Sequence, residues 1–246
     1  MEKQDILRNV RVVLSHTSHP GNIGAAARAM KTMGLGALYL INPKHFPDPQ
    51  AEAMASGAVD VLEKAVVCDS LQEALEGTVL VAGMSARVRD ISQSLLAPRE
   101  AMPLIAAHAA QHPVALLFGT EMSGLTNEEA ARCQIMVRIP ANPEYSSLNL
   151  AAAVQVLSYE LRLAAGDAGI KLPESVPAKT EELERYFAHL EQTLVQIGFM
   201  QTKQPTRLMH KLRRLYARAR PEQEEINILR GILTETAQYH ARNREK

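Results

Sequence analysis

The stretch VALLFGTEMSGLTNEEAARC, residues 114–133, decides the fold class. Its first five residues are wholly apolar, too few for a buried helix, and read as a strand covered on both faces. A polar turn holding Gly119 and Gly124 follows. Thr126 then caps a helix, and Glu129 three residues on completes a capping-box pattern. The same order of strand, turn and helix recurs on either side. Upstream, VRVVL at 10–14 reads as a strand, and the Ala-rich run after Asn22 reads as a helix ending near Gly34. ALYLI at 37–41 is another strand, stopped by Asn42-Pro43; residues 71–75 carry a helical pattern, and VLVA at 79–82 is a further strand. Downstream, IMVRI at 135–139 reads as a strand and residues 148–163 as a long helix. Alternation at this spacing predicts an α/β domain with a mostly parallel sheet over residues 1–165.

Residues 166–180 contain Gly166, Gly169, Pro173 and Pro177 and read as a linker. Beyond them the period changes. Leu183, Phe187, Leu190, Leu194 and Ile197 recur at steps of four, three, four and three, one face of a helix with Gly198 at its end. Leu208, Leu212 and Leu215 predict the apolar face of a second helix, and Ile226, Leu229 and Leu233 that of a third. Residues 181–246 are therefore expected to form a small helical domain. Within it RLMHKLRRLYARAR, residues 207–220, has six basic residues and no acid. A phosphate-rich partner suits this run, and so does a plain solvated helix face.

The chain's 246 residues carry 27 Lys+Arg against 27 Asp+Glu, a formal net charge of zero. Balanced charge with 46% hydrophobic residues excludes a fully disordered chain and argues against indiscriminate binding to polyanions. Two cysteines, Cys68 and Cys133, exclude a disulfide framework and a four-cysteine metal site. No signal-peptide pattern and no run of ~18 apolar residues is seen, so a cytoplasmic protein without a membrane span is expected. Neither H-E-x-x-H nor G-x-S-x-G occurs. His108 and His112 share a predicted helix face, as surface histidines commonly do, and no metal is expected.

Three loops concentrate the unusual polar residues. The first is SHPGNIG, residues 18–24, running into Arg28. A helix N-terminus there can receive an anion, with Gly21 and Gly24 allowing close backbone approach and Arg28 holding a phosphate. The alternative is a tight turn with Arg28 on a solvated face. The second loop is FGTEMSGL, residues 118–125, at the carboxyl end of the strongest strand, where α/β proteins bind ligands. The alternative is a capped connection with Glu121 facing solvent. The third is PANPEYSSLNL, residues 140–150, which sets Tyr145, Ser146, Ser147 and Asn149 at a helix start. There the alternative is N-capping by one serine. His16 or His19 could act as a base toward Ser147, but no spacing supports it.

SHPGNIGAAARAMKTMGL (18–35), SAR (85–87), FGTEMSGLTNEE (118–129) and IPANPEYSSLNLAAAVQVLSYE (139–160) together resemble the knotted SPOUT RNA methyltransferases. KLRRLYARARPEQEEINILRGIL (211–233) resembles the helical tail of one branch, the bacterial tRNA 2'-O-methyltransferases. The resemblance covers most of the chain. It implies a trefoil knot in the C-terminal part of the α/β domain, and a homodimer with each active site shared between subunits. It implies methyl transfer from S-adenosyl-L-methionine to a ribose 2'-oxygen of the tRNA anticodon loop, at a cytidine or uridine in position 32. The same chemistry on another tRNA loop or on ribosomal RNA, and a non-catalytic RNA-binding protein of this fold, are the alternatives.

By the same resemblance the cofactor is held by Met84, Ser85, Ala86, Gly119, Ile139, Ser146, Ser147 and Leu148. Arg28 and Ser147 match the catalytic pair, and Asn22 and Asn149 the polar residues supporting them. A guanidinium stays protonated, so Arg28 suits a phosphate and developing charge on oxygen better than the role of general base. Lys211, Arg213, Arg214, Arg218 and Arg220 suit tRNA docking. The chain departs from the family's frequent G-R-E-x-x-G at Thr120, which removes a positive charge beside the RNA path, and at Met122. His16 stands where relatives can carry Glu.

Overall fold

The computed structural model describes residues 3–85, 95–166, 176–200 and 205–244. The chain divides into two units, residues 1–173 and 174–246. The expected linker, 166–180, spans that boundary, but residues 167–175 lie outside the described residues.

The first unit runs α1 (Lys3–Arg8), β1 (Val10–Ser15), α2 (Pro20–Met33), β2 (Ala37–Ile41), α3 (Pro49–Ala55), α4 (Val59–Glu63), β3 (Val66–Cys68), α5 (Leu71–Leu75), β4 (Leu80–Met84), β5 (Leu95–Leu96), α6 (Pro98–Ala109), β6 (Val114–Phe118), α7 (Asn127–Ala131), β7 (Ile135–Val137) and α8 (Leu150–Ala164). The strands form one sheet in the order β3-β2-β1-β6-β4-β7-β5. Every pairing is parallel. Alternate side chains serve opposite faces. Val12, Leu14, Leu116 and Phe118 join the apolar layer beneath α2, α6 and α8, whereas Val13, Ala115 and Leu117 meet Ala74, Leu75, Ala130 and Cys133 of the layer that includes α5 and α7. An all-parallel sheet puts the carboxyl ends of its strands on one edge, so the loops after β1, β2, β6 and β7 open there together.

The expected strands and long helices are present, with shifted ends. β7 stops at Val137 and α8 starts at Leu150, because Asn149 rather than a serine caps it. The expected capping box at Thr126 and Glu129 forms in both directions, at 3.1 and 2.6 Å. His108 is buried, and His112 lies beyond the end of α6, so the two are not a surface pair on one helix. The trefoil knot implied by the resemblance depends on how residues 138–149 pass the connection from β4 to β5; of that connection, residues 86–94 lie outside the described residues.

The second unit holds α9 (Thr180–Gln196), α10 (Pro205–Ala219) and α11 (Gln223–Arg244). Leu183, Tyr186, Phe187 and Leu190 of α9 meet Met209 and Ile226 in its core. Tyr216 stands edge-on to Tyr186 at 4.9 Å, an arrangement aromatic quadrupoles favour. Gly198, with φ +77°, follows the end of α9 in a conformation suited to glycine. Leu215, expected inside, is half exposed; Met209 and Ala217 are buried, and Leu208, Leu212 and Tyr216 are only partly buried.

Candidate functional site

A cavity opens at the carboxyl edge of the sheet. Met84, Ser85, Gly119, Ile139, Ser146, Ser147 and Leu148 line it, together with Phe118, Val137 and Leu150. Seven of the eight residues matched to cofactor contacts are thus neighbours, and the eighth, Ala86, lies outside the described residues. Residues far apart in sequence meet here because β4, β6 and β7 are adjacent and parallel. One wall is apolar and the other offers hydroxyls and backbone, the composition of a small-molecule site. The turn after β6 is tight. Thr120 and Gly124 exchange backbone hydrogen bonds at 3.2 and 3.0 Å, and a Cβ on Gly119 would stand 2.1 Å from the Gly124 carbonyl carbon. Only glycine fits that position. Thr120 joins Ser123 through their hydroxyls at 2.7 Å, so its side chain serves the turn.

One polar chain ties the three loops together. Asn149 caps α8: its Oδ1 accepts from the amides of Ala151 and Ala152 at 2.9 and 3.4 Å. Its Nδ2 therefore points away and donates to Asn22 Oδ1 at 2.9 Å. Asn22 Nδ2 in turn donates to Glu121 Oε1 at 3.1 Å. The helix N-terminus fixes the orientation of both amides. Glu121 also accepts from the amide and hydroxyl of Ser18, at 3.2 and 3.1 Å, and from the amide of His19 at 3.2 Å. Burial pushes the Glu121 carboxyl up, but the hydrogen bonds from Asn22 and from backbone amides outweigh it and hold the group below the usual carboxylate range.

This network corrects three readings of the sequence. Glu121 does not face solvent unpartnered; it joins the first and second loops. The anion expected at the N-terminus of α2 is the protein's own Glu121, received by the Ser18 and His19 amides. Gly24 does not serve a ligand: a Cβ there would stand 2.0 Å from the Ala51 carbonyl oxygen, so the glycine lets α2 pack against α3. The role of Glu121 leaves no local signal in the sequence, because its partners lie about a hundred residues away.

Capping by Asn149 leaves Ser146 half-buried and Ser147 exposed, and among the described residues neither hydroxyl has a partner. Arg28 is exposed on α2 and does not line the cavity. It lies six residues past Asn22, about 120° around the helix and about 9 Å along it. Within one chain, Arg28 and Ser147 are therefore not seen joined. Lys211, Arg218 and Arg220 of the second unit are exposed and Arg214 is half-buried. Arg213 is committed elsewhere. It makes a bidentate pair with Glu184 at 2.6 and 2.9 Å and lies over the Phe187 ring at 4.4 Å, so it braces α10 against α9. Among the described residues, no His, Cys, Asp and Glu group is arranged to hold a metal, and no helix is long and apolar enough to cross a membrane.

Residues 9–159 match the SpoU rRNA methylase family, and residues 181–246 match the C-terminal domain of the tRNA methyltransferase TrmJ. The chain is 53% identical, over 96% of its length and 99% of the relative's, to a tRNA (cytidine/uridine-2'-O-)-methyltransferase TrmJ of Pectobacterium atrosepticum. It is similar to the crystal structure of TrmJ from Z. mobilis ZM4, with TM-score 0.82 and 33% identity, covering 92% of this chain and 97% of that one. A probable methylase family protein from Haemophilus influenzae aligns with TM-score 0.63 and 45% identity, over 95% and 97% of the two chains.

Proposed function

The chain belongs to the SpoU methylase family of SPOUT-fold RNA methyltransferases, in its TrmJ branch, and from that premise we propose that it methylates a ribose 2'-oxygen in the tRNA anticodon loop, at a cytidine or uridine in position 32. The observation that carries the proposal is the polar chain from the N-terminus of α8 through Asn149 and Asn22 to Glu121. It locks three loops beside one cavity while leaving the Ser146 and Ser147 hydroxyls free for ligands. The cavity suits S-adenosyl-L-methionine: Gly119 permits the tight turn at its edge, Met84, Ile139 and Leu148 give it apolar lining, and Ser85, Ser146 and Ser147 give it polar lining. When bound there, that cofactor supplies a methyl group already activated by its sulfonium.

The protein's part is alignment and charge. Ser147, at the cavity rim, orients the 2'-hydroxyl toward the cavity. Arg28 holds the adjacent phosphate and stabilises charge developing on the attacking oxygen. Since Arg28 turns away from Asn22 along α2, two copies of the chain together complete each site, one giving the cavity and the other Arg28. The exposed Lys211, Arg218 and Arg220 and the half-buried Arg214 dock the tRNA backbone.

The test is incubation with labelled S-adenosyl-L-methionine and unmodified tRNA, followed by mapping of the methylated nucleotide. Label on an anticodon-loop ribose is expected. Methyl on a base, or no transfer to any RNA while the cofactor demonstrably binds, would refute the reading. Transfer to ribosomal RNA or to another tRNA loop would keep the chemistry and replace the substrate.

A further inference from the structure

The loops after β1 and β2 form a second surface at the carboxyl edge. His16, with φ +50°, and Asn42, with φ +42°, turn the chain sharply at the two strand ends. The His16 amide donates to the Ile41 carbonyl at 2.8 Å, and the Lys44 amide donates to the Thr17 carbonyl at 3.0 Å. The loops therefore run side by side. The first continues directly into Ser18 and His19, whose amides hold the cavity residue Glu121. Phe46 packs against the core and anchors the second loop, while Lys44 and His45 are exposed.

Three carboxylates of this region are held by hydrogen bonds, while Asp69, whose carbonyl accepts from Asn42 Nδ2 at 3.0 Å, is exposed. Glu121 accepts from Ser18, His19 and Asn22. Glu129 is buried and accepts from the Ser15 hydroxyl and the Thr126 amide. Asp48 caps α3 by accepting from the Gln50 amide at 2.8 Å. Lys44 and His45 have no side-chain partner among the described residues. By contrast, Lys31 pairs with Asp60 and Arg99 with Glu160.

His16 is oriented from below. The buried Ser15 hydroxyl has one proton, which it donates to Glu129, so its contact with His16 Nδ1 at 2.8 Å requires that nitrogen to be the donor. In the neutral imidazole the other ring nitrogen, Nε2, is then an acceptor on an exposed side chain. A cation without an ion pair among the described residues, beside a hydrogen-bond acceptor, matches a strand that alternates phosphates with hydroxyl-bearing sugars.

We propose that residues 15–19 and 42–48 form a ledge for the RNA strand flanking the target nucleotide, with Lys44 and His45 on its phosphates and His16 Nε2 accepting from a ribose 2'-hydroxyl. This rests on RNA being the substrate, as argued above. Ser15 and Glu129 act as positioning residues for His16. The ledge residues belong to the first unit, whereas α10 belongs to the second.

The experiment uses the full chain and an anticodon stem–loop RNA. Affinity is measured across a salt series for wild type, Lys44→Gln/His45→Gln and the charge-preserving Lys44→Arg, with S-adenosyl-L-methionine affinity as a folding control. The double variant should lower the slope of log K against log salt by about 0.7–0.9 per lost contact, and Lys44→Arg should keep the wild-type slope. A double variant with wild-type affinity and slope overturns the ledge. In a second arm, the RNA competes with a copy carrying 2'-deoxyribose throughout the loop. Wild type should prefer ribose by roughly 3–10-fold more than His16→Asn does, the worth of one hydrogen bond. Asn tolerates the left-handed backbone at that position. Equal preference in the two proteins overturns the assignment of His16. Methyl transfer by wild type is scored separately: RNA binding without transfer would defeat the functional reading, whereas active wild type with unaltered variants would defeat the ledge alone.

Discussion

Asn149 does two jobs with one amide, and substitution separates them. Its oxygen caps α8 and its nitrogen donates to Asn22. Asn149→Ala removes both, and a cost of about 1 kcal/mol is expected from the lost cap alone. Asn149→Asp keeps the cap but cannot donate to Asn22, so urea unfolding should stay within about 0.5 kcal/mol of wild type while methyl transfer falls. Equal activity of the Asp variant and wild type would show that the Asn22 link is dispensable. Glu121 supplies a pH signature. Its carboxyl lies below the ordinary value of 4.5 in the folded protein, so the folded state binds fewer protons there than the unfolded chain. The stabilisation is fully present above that ordinary value and fades as pH falls through the lower folded value. Unfolding midpoints of wild type and Glu121→Gln should therefore differ by a constant amount above about pH 5.5 and converge in acid. A gap that does not change with pH would contradict this. At this scale the sequence exposed the residue types, Asn22, Ser147 and Asn149, but not who bonds whom. That Asn149 rather than a serine caps α8 and also reaches Asn22 is seen only in the fold.

At the scale of elements, glycines report which helix faces are committed. Gly24 meets the Ala51 carbonyl, whereas a Cβ on Gly21 would meet Gln50 and Met54 at an ordinary 3.5 Å. Gly24→Ala should destabilise by about 1–3 kcal/mol or more, because backbone must move. Gly21→Ala should be neutral or gain up to about 1 kcal/mol from helix propensity. Denaturant midpoints of the two variants check the contrast, and equal effects would refute the packing role of Gly24. The strands at 10–15, 37–41 and 114–118 were legible because runs of apolar residues bounded by turn signals admit few other readings. α1, α4, β3 and β5 were not: each is too short to show a period. Leu215 fits the apolar spacing of α10 but is half exposed, because Met209 and the ring of Tyr216 take the side that packs on α9. Spacing names a face, while the partner's shape selects which members of it are buried.

The whole molecule is where the shared site is tested. If Arg28 acts across a subunit interface, mixing Arg28→Ala with Ser147→Ala chains should restore about a quarter of wild-type activity, from random mixed dimers with one intact site each. No recovery despite demonstrated subunit exchange would refute sharing. In the second unit the arginines divide. Replacing Lys211, Arg214 and Arg218 with Gln should weaken tRNA binding and lower its salt slope by about 0.9 per lost contact. Arg213→Ala should instead lower thermal stability, because it removes the bidentate pair with Glu184 and the stacking on Phe187 that brace α10 against α9. A salt slope for Arg213→Ala as reduced as that of the triple variant would reverse the assignment.

By itself the sequence determined the parallel α/β class, the helical tail and the three loops that matter, since each rests on local periodicity or on residue types within a few positions. The tertiary structure decided which of those residues touch. Parallel strands β4, β6 and β7 bring positions 84, 119 and 139 to one cavity, and Glu121 becomes the joint between loops because Ser18 and Asn22 follow β1, the strand paired beside β6. It also withdrew Arg213 from the set of free cations. A hydrogen bond between groups a hundred residues apart leaves no trace in spacing; it exists only once burial of the apolar faces has fixed where each loop ends.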